Sequence, residues 1–201
     1  MYFKRKFILF FKFFKELFVK FRNKFVNPRE DSKFFRQKLV AGNYLPIKDN
    51  SFIKWIDKFG NYQYKQIYEA IKFDESSRDV ALDVGANVGI ITRLLSRNYE
   101  LVIAIEPSSQ NRAAIYRNQV KGLNNIIIYP FAASLNNGDE KIRISDSSCG
   151  GNSISDIDLP NPDRFENIHL VKIDDLIFGS NFLKGRKISF IKIDIQGYEL
   201  L

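Results

Sequence analysis

The chain has 201 residues, 45% of them hydrophobic, with a net charge of +8, one cysteine and one histidine. That length suits one well-buried domain with an appendage. Cys149 alone excludes an intramolecular disulfide and fits a reducing compartment, and His169 alone excludes a clustered His/Cys metal site, leaving only carboxylates for a divalent cation. Residues 1–26 hold eight Lys or Arg against one Glu, so nearly all the excess charge sits there. The near-neutral body argues against nucleic acid as a partner.

Within residues 1–26, Phe3, Phe7, Phe11, Phe14, Phe18, Phe21 and Phe25 recur at helical steps, and Lys4, Lys12, Lys15 and Arg22 follow the same period on another side. The pattern predicts a basic amphipathic helix lying on a membrane surface. Lys12, Lys15 and Lys20 leave no apolar run near the roughly 18 residues a span needs, and no small-x-small cleavage site follows. The alternative is a helix packed on the domain or on a partner helix. Asn27-Pro28 ends it, and residues 27–50 read as a polar linker with a short helical piece around Phe34 to Val40. From residue 51 to 73, Trp55, Ile67 and Ile71 stand at largely helical spacing, predicting helices that cover a sheet before its first strand.

The segment ALDVGANVGIIT, Ala81 to Thr92, then passes from an apolar strand (Val80 to Val84) through a glycine turn into a helix beginning at Ile90. Such a turn cradles a nucleotide cofactor, although glycine turns of this kind also occur as plain structure. G-x-G-x-x-G, the dinucleotide signature, is absent. Asp83, an acid before Gly85, suits a ligand bearing a cationic amine, as S-adenosylmethionine does. LVIAIEP follows as a second strand, Leu101 to Ile105, with Glu106 at its carboxyl end, twenty-one positions after Gly85. That is close to the interval of about 20 residues at which an acid meets ribose hydroxyls. The alternative for Glu106 is a solvated acid at the start of the next helix, where Ser108 and Ser109 resemble N-caps.

A helix is expected from Gln110 to Lys121, stopped by Gly122, then a third strand from Ile126 to Tyr129. Alternation of strand and helix predicts an α/β fold with a Rossmann-like doubly wound parallel sheet. Beyond Ser134 the pattern changes to an insertion: an alternating stretch Lys141 to Ser145, a loop SDSSCGGNSISD, and a strand candidate Ile168 to Ile173. Loops of this kind on rigid scaffolds often touch substrates. The last strand, Ile188 to Ile193, leads into Asp194-Ile195-Gln196-Gly197-Tyr198-Glu199. Lys192 shares a face with Asp194 by strand alternation, so it would pair with that acid or orient substrate.

ALDVGANVG, IEPSSQN, FAAS (Phe131 to Ser134), KIDDL (Lys172 to Leu176) and ISFIKIDIQGYELL together resemble the FkbM family of S-adenosylmethionine-dependent methyltransferases over about residues 80–201. The resemblance implies a class I methyltransferase fold and O-methylation of a hydroxyl on a carbohydrate, glycan or related metabolite. It implies cofactor contacts at Asp83, Gly85, Ala86, Asn87, Gly89, Glu106, Pro107, Ala132 and Ala133. It also implies that residues 51–201 form a methyltransferase domain incomplete at its C-terminus, with the last strands of the sheet missing. Asp194, Lys192 and Glu199 are the catalytic candidates, Asp194 foremost. The family commonly has Asp-x-Glu-Gly where this chain has Asp194-Ile195-Gln196-Gly197, and glutamine is neither a base nor an anionic metal ligand. Two readings stand beside methyl transfer: a nicotinamide-dependent oxidoreductase, and a membrane-associated binding module without turnover. The expected location is cytoplasmic, peripheral on the inner membrane face.

Overall fold

The computed structural model describes residues 37–40, 43–46, 54, 64–75, 77–119, 124–145, 148–152, 154, 164–180 and 183–195. The basic helix expected over residues 1–26 lies outside them. Where a short helical piece was expected, Gln37–Val40 (β1) is instead a strand, paired antiparallel with Asn43–Pro46 (β2). Only Ala41 and Gly42 separate the two strands, the spacing of a tight hairpin, and such a partner overrides a weak helical period. Leu45 on β2 is fully buried against Val88, Ile90, Ala114 and Cys149.

Helix α1 (Tyr64–Phe73) precedes the first strand of the central sheet. That sheet is wholly parallel: Val80–Val84 (β3), Leu101–Ile105 (β4), Ile126–Tyr129 (β5) and Ile188–Ile193 (β9) stand in the order β5-β4-β3-β9. Every residue of β3 is buried, as expected of a strand covered on both faces. Val80, Leu82 and Val84 point with Ile103 and Ile105 into one core layer, which also takes Leu176 and Leu183. Ala81 points the other way, with Val102, toward Ile91, Leu94 and Leu95 of α2 (Ile90–Ser96) and Ile71 of α1. Helix α3 (Ser109–Gln119) adds Ile115 beside Ala86 and Ala104. The observed bounds of α3 fall close to the expected Gln110 to Lys121.

After Pro130 the chain leaves this sheet for a second one. Phe131–Ala133 (β6), Gly138–Ile144 (β7) and Arg164–Val171 (β8) form a three-stranded sheet in the order β6-β8-β7, with β6 parallel and β7 antiparallel to β8. The strand expected over Ile168 to Ile173 therefore begins earlier and stops at Val171, and Ile173 opens helix α4 (Ile173–Gly179). Asp174 and Asp175 in the first turn of α4 favour that helix, because carboxylates there meet its positive end. The architecture is Rossmann-like. β3 has β4 on one side and β9 on the other, so the strand order switches at β3, and the crevice above that point is where open α/β sheets bind ligands. Among the described residues β9 has a strand on one side only, and its Ile191 and Ile193 are about half exposed.

Candidate cofactor site

A cleft lies at this switch point, with about 840 Å³ of empty space that includes open solvent. Its floor is the turn after β3. Gly85 takes a φ of 75°, and a Cβ there would lie 2.0 Å from the Asp194 carbonyl oxygen, so only glycine lets the turn pass the end of β9. Gly85 N and Ala86 N both donate to Ile105 O, at 3.0 and 3.1 Å, which ties the turn to the end of β4.

Glu106, one residue past β4, lines the cleft and is 5% exposed. Asn87 N donates to its Oε2 at 2.8 Å, Ser108 N to its Oε1 at 2.9 Å, and Asn111 Nδ2 to Oε1 at 3.4 Å. Burial pushes its pKa up from 4.5 to about 7, against these donors and the nearby Arg112 guanidinium. Arg112 Nη1 in turn donates to Glu106 O at 2.9 Å and to Pro107 O, fixing the backbone that carries the acid. Glu166 of β8 accepts from Ser109 N at 3.1 Å, so the second sheet is fastened to the start of α3. The carboxylate is thus held at the carboxyl end of the sheet, lining the cleft.

Gly85, Ala86, Asn87, Glu106, Pro107, Ala132 and Ala133, all expected as cofactor contacts, line this cleft, and so do Lys192 and Asp194. Asn87 Oδ1 is buried with no hydrogen-bond partner, an acceptor available to a ligand. Two expected contacts are not on the wall. Gly89 faces the protein instead: its φ is 83°, and a Cβ would press within 3.1 Å of Ile115, so this glycine serves the packing of α2 on α3.

The larger correction concerns Asp83. It is fully buried, and its carboxylate turns to the α2 face rather than to the cleft, because strand alternation puts it on the side of Ala81. Thr92 Oγ1 donates to Asp83 Oδ2 at 2.6 Å, and Lys192 Nζ lies 3.2 Å from Oδ1. Lys192 therefore pairs with Asp83, since the register of β3 and β9 sets the two residues opposite each other. Its ammonium also donates to Gly85 O at 2.8 Å. Asp194 stands at the carboxyl end of β9, partly buried, its N–H donating to Val84 O at 3.0 Å. Glu199 and Gln196 lie outside the described residues.

Much of the opposite wall was not singled out residue by residue: Phe131, Ile142 and Asn111 of α3, and also Cys149, Gly150, Asn152 and Ile154, although these four stand in the loop expected to touch substrates. Asn111, in the first turn of α3 and three residues from the Ser108 cap, carried a usable signal. Cys149 carried none. It sits in a 3₁₀ turn, Cys149–Gly151, whose carbonyl at Cys149 accepts from Asn111 Nδ2 at 3.2 Å. Among the described residues no group of three or more His, Cys, Asp or Glu is placed to hold a metal ion.

The Methyltransferase FkbM domain family matches residues 83–201. No curated protein matches the chain. Among solved structures, the chain is similar to a methyltransferase FkbM from Methylobacillus flagellatus KT, with 21% identity and a TM-score of 0.38 over 61% of this chain and 27% of that one. It is also similar to DhpI in complex with SAH, with 19% identity and a TM-score of 0.30 over 41% of this chain and 47% of that one. The chain thus spans less than half the length of either solved structure.

Proposed function

The chain belongs to the FkbM methyltransferase family, and from that premise we propose that it transfers a methyl group from S-adenosylmethionine to a hydroxyl of a carbohydrate, glycan or related metabolite. The observation that carries the cofactor reading is Glu106, a buried carboxylate one residue past β4 that lines the cleft beside the unpartnered Asn87 Oδ1. When bound, S-adenosylmethionine supplies a methyl group on a cationic sulfur that leaves as a neutral thioether. Glu106 would accept hydrogen bonds from the ribose hydroxyls, while Gly85 and Ala86 would let backbone approach the ligand closely. Ala132, Ala133 and Ile142 form an apolar part of the cleft wall that would suit a flat base.

Because the leaving group is already good, the protein's main task is alignment, which supplies roughly 7–11 kcal/mol in favourable cases. The acceptor hydroxyl still loses a proton, and we assign that proton to Asp194, whose place at the end of β9 on the cleft wall supports the role. Isothermal titration with S-adenosylmethionine and S-adenosylhomocysteine is the test, followed by methyl transfer to oligosaccharide acceptors. Binding that disappears in Glu106→Ala is expected; tighter binding of NAD than of the sulfonium would favour the oxidoreductase instead.

The concentration of charge in residues 1–26 supports a second proposal, that this segment holds the chain reversibly on the cytoplasmic face of an anionic membrane. Co-sedimentation with anionic vesicles, weakening with salt and lost on deletion of residues 1–26, is the expected result. Among the described residues no helix is long and apolar enough to cross a membrane.

A further inference from the structure

Asp83 and Lys192 have no task in that reading beyond holding the turn. We propose that Lys192 neutralises Asp83 beneath the cofactor turn, so that the cleft does not favour a cationic sulfonium donor over its neutral thioether product. This rests on the cleft being an S-adenosylmethionine site, and it makes Lys192 a positioning and selectivity residue.

The carboxylate of Asp83 is fully buried, and the Thr92 hydroxyl that donates to Oδ2 carries no charge. Oδ1 makes no ordinary hydrogen bond; what compensates it is the Lys192 ammonium at 3.2 Å. That ammonium belongs to a side chain 9% exposed that also lines the cleft, and it donates to the Gly85 carbonyl. The positive charge is therefore held against the buried negative one by a residue that itself borders the ligand space. Were it removed, the carboxylate would lose its compensating charge, and its attraction for a cation bound in the cleft would be worth on the order of tenfold in affinity.

Such attraction is counterproductive for this reaction. As the acceptor oxygen forms its bond to the methyl carbon, the carbon–sulfur electron pair returns to sulfur, the sulfonium charge disappears, and the acceptor proton passes to a base. A fixed negative charge stabilises the charged donor more than the transition state in which that charge is fading, so it would tighten binding and slow turnover. Pairing Asp83 with Lys192 cancels the effect while leaving both groups free to brace the turn against β9.

The test is the ratio of affinities for S-adenosylmethionine and S-adenosylhomocysteine, measured by calorimetry on the full chain. Lys192→Met is expected to shift that ratio about tenfold toward the sulfonium and to lower the methyl-transfer rate. The double variant Asp83→Asn/Lys192→Met, which buries no net charge, is expected to return the ratio to that of the parent. Affinities that fall in step in Lys192→Met, leaving the ratio unmoved, would reduce the pair to a scaffold and overturn the inference. If Lys192→Met does not fold, the double variant decides, because a ratio displaced from the parent's contradicts charge cancellation. A parent chain that binds neither ligand would instead overturn the cofactor reading itself.

Discussion

Asp83 and Glu106 sit near the ends of neighbouring parallel strands, both almost inaccessible to water, and they do opposite things. Asp83 lies inside the β3 ladder, paired in register with Ala104, so alternation commits its side chain to a face already covered by α2. Glu106 lies one residue beyond β4, where alternation no longer applies and three N–H donors from two turns and α3 aim it at the cleft. An acid on the last rungs of a strand belongs to the scaffold, whereas an acid just past them is available to a ligand. The difference shows in charge balance as well: Asp83 is neutralised by Lys192, while Glu106 has burial raising its pKa to about 7.

The largest effect should come from breaking the Asp83 side. Asp83→Ala leaves the Lys192 ammonium buried without its counter-ion and should lower unfolding free energy by about 3–5 kcal/mol in a urea titration. The Glu106 side should reveal itself through pH. Its folded pKa is raised above the unfolded value, so its contribution to stability is full below pH 4.5 and is lost as pH rises through about 7, by about 3 kcal/mol in all. The parent should therefore lose stability relative to Glu106→Gln over that interval when the two are unfolded at successive pH values. In binding the order reverses. Ribose hydroxyls donate best to the ionised acid, so affinity for S-adenosylhomocysteine should rise between pH 6 and 8, and Glu106→Gln should flatten that rise and cost about tenfold at pH 8 by calorimetry. The smallest effect should be Ser108→Ala, which removes the hydroxyl that accepts from Asn111 N at 3.5 Å and should cost about 1 kcal/mol in thermal unfolding, with the Glu106 pH dependence retained.

Much of this contrast was legible before any coordinates. β3, β4, β5 and β9 announce themselves as short, nearly continuous apolar runs, because parallel strands bury both faces. The interval from Gly85 to Glu106 located an acid that lines the cleft. The second sheet was harder to read: GDEKIRI and RFENIHLV carry charged residues on exposed positions, and their pairing joins residues that the sequence holds far apart. The side-chain direction of Asp83 was hidden for a different reason. Its placement before a glycine turn spoke for a ligand, but the direction of its side chain follows from Ala81 two residues earlier, and its partners come from α2 and from a strand more than a hundred positions away. Pairing between Lys192 and Asp83 requires the strand order, which no local pattern contains.

Leu45 gives the family boundary a practical meaning. The matched region begins at residue 83, yet this leucine from the β1–β2 hairpin fills a space between Val88 of the glycine turn and Cys149 of the inserted wall. Cutting the chain to the matched residues would divide β3 and empty that space at the back of the cleft. A protease that nicks the hairpin should therefore weaken ligand affinity before it touches any residue the ligand meets.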